Sequence, residues 1–193
     1  MRPNVILATI CAGALCATTW AQSTGTTEKS VAQLKIEAAK AQIVAAESRL
    51  ESAKQASQQG AVGEEAVLIA SVELAEKKIG LAKLEQNAAG LGIQLGQIVV
   101  LRQSLYDHAL LRQQAGTESS MEVASSRLSL AKARIRVETF TVFQLASQQH
   151  QEAAKRFAAG GLGQKALDEA KSALDESAKA WDMVESGRSF GQL

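Results

Sequence analysis

Beyond residue 30, apolar residues recur along the chain at steps of three and four, the spacing that gathers side chains on one face of an α-helix. From Ser30 to Gln59 the stripe is Ile36, Ala39, Ile43, Ala46, Leu50 and Ala53. From Glu64 to Ala88 it is Val67, Ala70, Leu74, Leu81 and Leu84, and from Ile93 to Gln114 it passes through Leu95, Ile98, Leu105 and Ala109. From Glu118 onward it is Met121, Ala124, Leu128, Ala131, Ile135 and Val142. From Gln164 to Glu185 it is Leu167, Ala170, Leu174, Ser177, Trp181 and Val184. No segment alternates apolar and polar residues long enough to read as a strand. Glycines separate the stripes at Gly60 and Gly63, at Gly90 and Gly92, at Gly116, and at Gly160, Gly161 and Gly163. Glycine accepts the left-handed conformation that ends helices. The stretch Val137–Phe143 (VETFTVF) lowers helix propensity with its β-branched and aromatic residues. Either one helix runs through it from Glu118 to Ala158, or a bend near Glu138–Thr141 divides that helix in two.

The stripes belong to a repeat. Its copies begin at Gln58 (QQGAVGEEAVLIASVELAEKKI), Gln113 (QQAGTESSMEVASSRLSLAKARI) and Phe157 (FAAGGLGQKALDEAKSALDESAKAW). Aligned on apolar positions, Val67, Met121 and Leu167 share a column, followed by Ala70, Ala124 and Ala170, then Leu74, Leu128 and Leu174, then Leu81, Ile135 and Trp181. A repeated unit of this kind cannot bury its apolar face alone, and stacked copies can. The expected fold is all-α: three antiparallel helical hairpins at 30–87, 92–138 and 140–187, forming an elongated coiled-coil-like bundle. The stripes are rich in alanine, which permits close helix axes, and their near-heptad spacing favours shallow crossings.

The N-terminus has a different pattern. Arg2, an apolar run from Val5 to Ala17 and then Thr19-Trp20-Ala21 follow the layout of a secretory signal cut after Ala21. The run is shorter than the roughly 20 residues a membrane span needs. The expected organisation is a signal peptide over 1–21, a flexible polar leader over 22–29, the helical repeat domain over 30–187 and a tail over 188–193. Cys11, Cys16 and Pro3, the only cysteines and the only proline, would leave with the signal. The exported chain would then hold no disulfide, no thiol and nothing to interrupt a helix by ring geometry. The whole chain has 21 Lys and Arg against 20 Asp and Glu. Loss of Arg2 makes the two equal, and the charges are interspersed. That balance argues against a nucleic-acid surface or a polybasic membrane patch.

Glycine, then alanine ten residues on, then leucine four further appears as Gly60–Ala70–Leu74 and Gly160–Ala170–Leu174. The middle copy keeps Ala124–Leu128, with Gly116 two residues closer. With Arg156-Phe157-Ala158-Ala159 ahead of the last copy, this resembles the helical repeat of TolC-type outer-membrane efflux proteins. In that family the segment is a turn followed by a helix of the periplasmic α-barrel. The resemblance covers three short windows and implies the helical part of such an assembly, because the alternating strands of a membrane β-barrel are not recognisable here.

Reactive constellations are thin. His108, beside Asp107, and His150 are the only histidines, whereas a zinc site takes three or four ligands. Glu64-Glu65 suits the start of a helix, and Asp175-Glu176 a polar helix face. The GGLG run at 160–163 precedes a helix but has no strand before it and no Gly-Lys-Ser/Thr, so it reads as a turn and not a phosphate loop. Trp181 falls in the apolar column. Tyr106, Phe140, Phe143 and Phe157 suit a bundle core or an apolar groove. The expectation is a non-catalytic interaction or scaffold protein with no cofactor or metal, exported to the periplasm of a two-membrane bacterium and tied to efflux or secretion assemblies. Its partner is another protein or a second copy of itself, with the turns at Gly60, Gly63, Gly116, Gly160 and Gly163 as contact points. The alternative is a periplasmic bundle that holds a small ligand or lipid in an apolar groove between hairpins.

Overall fold

Each helix starts and stops for a reason that can be read in its terminal residues. The computed structural model describes residues 30–187, and the signal, leader and tail assigned from the sequence lie outside them. Of the described residues, 30–35 fall in one unit and 36–187 in a second. In the first, Ser30 opens a helix with a reciprocal cap. The Gln33 N–H donates to the Ser30 hydroxyl at 3.3 Å, and the Ser30 N–H donates to Gln33 Oε1 at 3.0 Å. The helix so opened is α1 (Val31–Gln58), and α2 (Glu64–Leu84), α3 (Ala88–Gln114), α4 (Ser120–Ala158) and α5 (Gln164–Ser186) follow.

All four turns within 36–187 close in the same way. The N–H of Gly60, Gln86, Gly116 or Gly160 donates to the carbonyl three residues back, and the next N–H to the carbonyl five residues before itself. Gly60, Gly116 and Gly160 have φ of +71°, +74° and +74°, the left-handed region where a side chain is strained. The next helix then starts from Gly63, Asn87, Ser119 or Gly163.

The turn between α2 and α3 corrects the sequence reading. It lies at 85–87, and Gly90 and Gly92 sit in the first turns of α3. Gln86 takes the left-handed position at φ +53°, and the Asn87 side chain accepts from the Gly90 N–H at 2.9 Å. The glycine at 92 has another use: a Cβ there would stand 3.4 Å from the Phe140 ring, so the ring rests on bare backbone.

Consecutive helices run antiparallel and pack as neighbours, α2 on α3, α3 on α4 and α4 on α5. Lys40–Glu85 and Glu47–Lys78 at 3.3 and 3.5 Å, together with Arg49–Glu73, place α1 beside α2. The core joins Ala75, Ile79 and Ala82 of α2, Leu91, Leu95 and Ile98 of α3, and Ala133 and Phe140 of α4, with Trp181 of α5 packed against it. Helices α3 and α5 share α4, which continues unbroken through Val137–Phe143. Thr139 and Thr141 there donate their hydroxyls to the carbonyls of Ile135 and Val137 at 2.8 Å, and the helix tolerates them. The second and third hairpins are therefore one continuous meander with a common long arm.

The predicted stripes of α1, α3 and α5 are the covered faces of those helices. In α2 the stripe Val67–Leu74–Leu81 is only half-buried, and the deepest positions are Val72, Ala75, Ile79 and Ala82. Helix α2 lies between two neighbours and is apolar over a wide arc, so a single stripe describes one side of it. Glu73 and Lys78, which flank the stripe, reach α1.

In α4 the predicted stripe points the other way. Met121, Leu128, Ile135 and Val142 are 80%, 56%, 47% and 58% exposed, while Val123, Leu130, Ala133, Phe140 and Ala146 are buried. The turns give the correct register. Leu74, Leu130 and Leu174 each lie fourteen residues after the left-handed glycine of their turn. In that alignment Val67, Val123 and Leu167 share one column, and Leu81, Val137 and Trp181 another, all of them covered.

Candidate interaction surfaces

The five glycines expected to mark contact points fall into two structural types. Gly60, Gly116 and Gly160 end helices in the left-handed conformation, and Gly63 and Gly163 are extended residues that begin them. All five are exposed. The first two of the three glycine turns are brought to one end of the packed helices, because Arg112 at the end of α3 reaches both. Its Nη1 is 2.5 Å from Glu65 Oε2 at the start of α2, and its Nε is 2.5 Å from Glu118 Oε2 in the next turn. The His108 Nε2 stands 3.7 Å from Glu64 Oε2 at that same end. The turn at 160–163 follows the far end of α4 and is not brought to the other two.

Ser119 caps α4 at the second turn. Its hydroxyl accepts from the Glu122 N–H at 3.3 Å, and its own N–H donates to Glu122 Oε2 at 2.9 Å. That backbone N–H, and then the Ser119 hydroxyl, which also donates to Glu122 Oε2 at 2.7 Å, hold the Glu122 carboxyl below its usual range, with burial opposing them.

A charged clamp that the sequence did not reveal joins α2, α4 and α5. The Arg136 Nε donates to Glu185 Oε1 at 3.0 Å, and its Nη1 donates to Glu76 Oε1 at 2.7 Å. Lys83 also pairs with Glu185 and lies 5.7 Å from the centre of the Trp181 ring. Trp181 meets Phe140 at 5.1 Å between ring centres, tilted by 50°. Burial, and then the charge of Arg136, hold the Lys83 ammonium below its ordinary value, with Glu76 pulling the other way. The geometry is that of a joint between helices: every polar end is matched, and the aromatic pair closes onto the core. Sequence spacing could not show it, because the partners lie on three different helices.

A groove of about 410 Å³ beside α2 is lined by Ile69, Val72, Glu73, Glu76, Lys77 and Arg102 and opens broadly to solvent. Four of those six side chains carry charge, which suits a wet surface better than an apolar ligand. His150 sits half-buried on α4, and Asp175 and Glu176 are exposed on α5. Among the described residues no three His, Asp, Glu or Cys side chains come together as a metal site would require. Among them also no helix is long and apolar enough to cross a membrane.

An apolar row on α4 is also left exposed. Met121, Leu128, Ile135 and Val142 recur every seven residues, with Ala124 and Ala131 between them and Leu145 beyond, all exposed. A spacing of seven with small residues in the intervening layer is the pattern of a coiled-coil seam. No protein-family model, curated protein or solved structure matches the chain.

Proposed function

We propose that this chain is a non-catalytic helical interaction protein of the bacterial cell envelope, exported by its N-terminal signal and working as a scaffold component beside efflux or secretion assemblies. The observation that carries the reading is the exposed seam on α4. The helices are long and pack around a shared buried core, and yet four large apolar residues in heptad register stay in water. Contiguous exposed apolar surface of this kind marks interaction sites. The paired turns at Gly60 and Gly116 add a second presenting surface at one end. Export and the efflux association rest on the N-terminal pattern and on the TolC-like repeat windows.

The reading is tested by cross-linking the tagged protein in intact cells of its native host and identifying what it captures. Transporter or outer-membrane subunits among the adducts, reduced when the 60–63 turn is rebuilt, support it. Capture of nothing, or of cytoplasmic proteins alone, overturns it.

A further inference from the structure

The seam on α4 also carries information about what covers it, and the inference below rests on the interaction reading. Counted from the left-handed glycine of each turn, Leu128, Ala131 and Ile135 of α4 correspond to Val72, Ala75 and Ile79 of α2, and to Ser172, Asp175 and Lys179 of α5. In α2 this face is apolar and buried in the core it forms with α3. In α5 the face is polar and exposed. In α4 the face is apolar, like the covered one of α2, and exposed, like the polar one of α5. The residues suit a helix that this part of the chain does not supply.

The flanks define that helix further. With Met121, Leu128, Ile135 and Val142 as the first heptad position, the positions beside the seam are Ser125, Arg127, Lys132, Arg134, Thr139 and Thr141. Three are basic and none is acidic. Arg127, Lys132 and Arg134 are exposed, and Arg134 also donates to Gln103 Oε1 at 2.9 Å. Flanking charges choose coiled-coil partners. The same seam of a second copy would bring these cations against themselves. A membrane surface needs a broad face of bulky side chains. This face is narrow, has alanine in alternate layers and carries no aromatic. Glu138 occupies the last small-residue layer and favours a basic or amide side chain opposite.

We propose that the Met121–Val142 face of α4 docks one amphipathic helix of a partner protein, about 32 Å of it, whose own apolar seam is flanked by Asp or Glu.

The test uses the full mature chain and two designed 28-residue heptad peptides with identical apolar seams, one with Glu and one with Lys at the flanking positions. Binding is read by fluorescence anisotropy. The Glu peptide is expected to bind at least tenfold more tightly than the Lys peptide. Leu128→Gln with Ile135→Gln abolishes binding and leaves the helical circular dichroism intact, because both side chains are exposed. Arg127→Glu with Lys132→Glu reverses the preference between the peptides. Equal affinity for the two peptides, or binding that survives the glutamine pair, overturns the proposal. So does binding to phosphatidylglycerol vesicles but to neither peptide, or self-association abolished by the glutamine pair. Running the cell cross-linking with the glutamine pair separates the two readings. Capture of envelope partners that is unchanged in this variant removes the docking face and leaves the interaction reading standing. If the native protein captures nothing while the peptide preferences hold, the docking chemistry stands and the envelope assignment falls.

Discussion

At Gly60, Gly116 and Gly160 the backbone enters the left-handed region, and only the absence of a Cβ makes that inexpensive. Gly116→Ala should therefore lower stability by about 1 kcal/mol. Gly63→Ala, at an extended N-cap with open space around it, should cost less, about 0.5 kcal/mol, because alanine caps a helix less well than glycine. Denaturant melts of the two variants separate a turn that is needed for folding from a surface that is free for contact. Gln86 offers the converse: Gln86→Gly should raise stability by about 1 kcal/mol by relieving its positive φ. The cap at Ser119 makes a prediction about pH. The Glu122 pKa is lowered on folding, so its contribution is present above the ordinary glutamate pKa and is lost as pH falls through the depressed folded value. Amide protection at the start of α4, taken relative to the intrinsic exchange rate at each pH, should fall with acid across that interval in the native chain, and Glu122→Gln should flatten the response.

The register of α4 decides which residues are core and which are surface. Leu130 is 5% exposed, and Leu130→Ala should cost about 2–5 kcal/mol, whereas Leu128→Ala, two residues away, should stay within about 0.5 kcal/mol. Equal losses at the two positions would contradict the register. The element also shows what the sequence could and could not disclose. Stripes on α1, α3 and α5 were legible because on each of those helices the regular apolar row is also the covered one. Helix α4 has two, and the regular heptad of Met121, Leu128, Ile135 and Val142 is more conspicuous than the buried row, which Ser126 and Ala133 dilute. The clue that separates them is the distance from the turn glycine to the leucine, constant at fourteen residues in all three copies. The break at 85–87 was hidden for a related reason. Gln86 performs a task usually left to glycine, while Gly92 serves the Phe140 ring.

Across residues 36–187, the helices are held by a mainly aliphatic core that includes Phe140 and by ion pairs between neighbours, the least exposed of which form a joint around Arg136. Arg136 ties α2 to α5 through Glu76 and Glu185, and removing its guanidinium leaves Glu185, which is largely shielded from water, with Lys83 alone. Arg136→Ala should cost about 2 kcal/mol, read as a lower unfolding midpoint. Long-range matches of this kind need the fold before they can be seen, as does the convergence of the Gly60 and Gly116 turns around Arg112. The all-α class, by contrast, was legible from spacing and glycine alone, and the proposed working surface is the apolar row that folding leaves uncovered. That claim is tested most directly by placing a photo-crosslinking amino acid at Leu128 or Ile135, and as a control at Lys171 on the exposed polar side of α5, in intact cells. A discrete partner adduct is expected from 128 and 135 and none from 171. Adducts of equal yield from all three positions, or none from the seam, would contradict it.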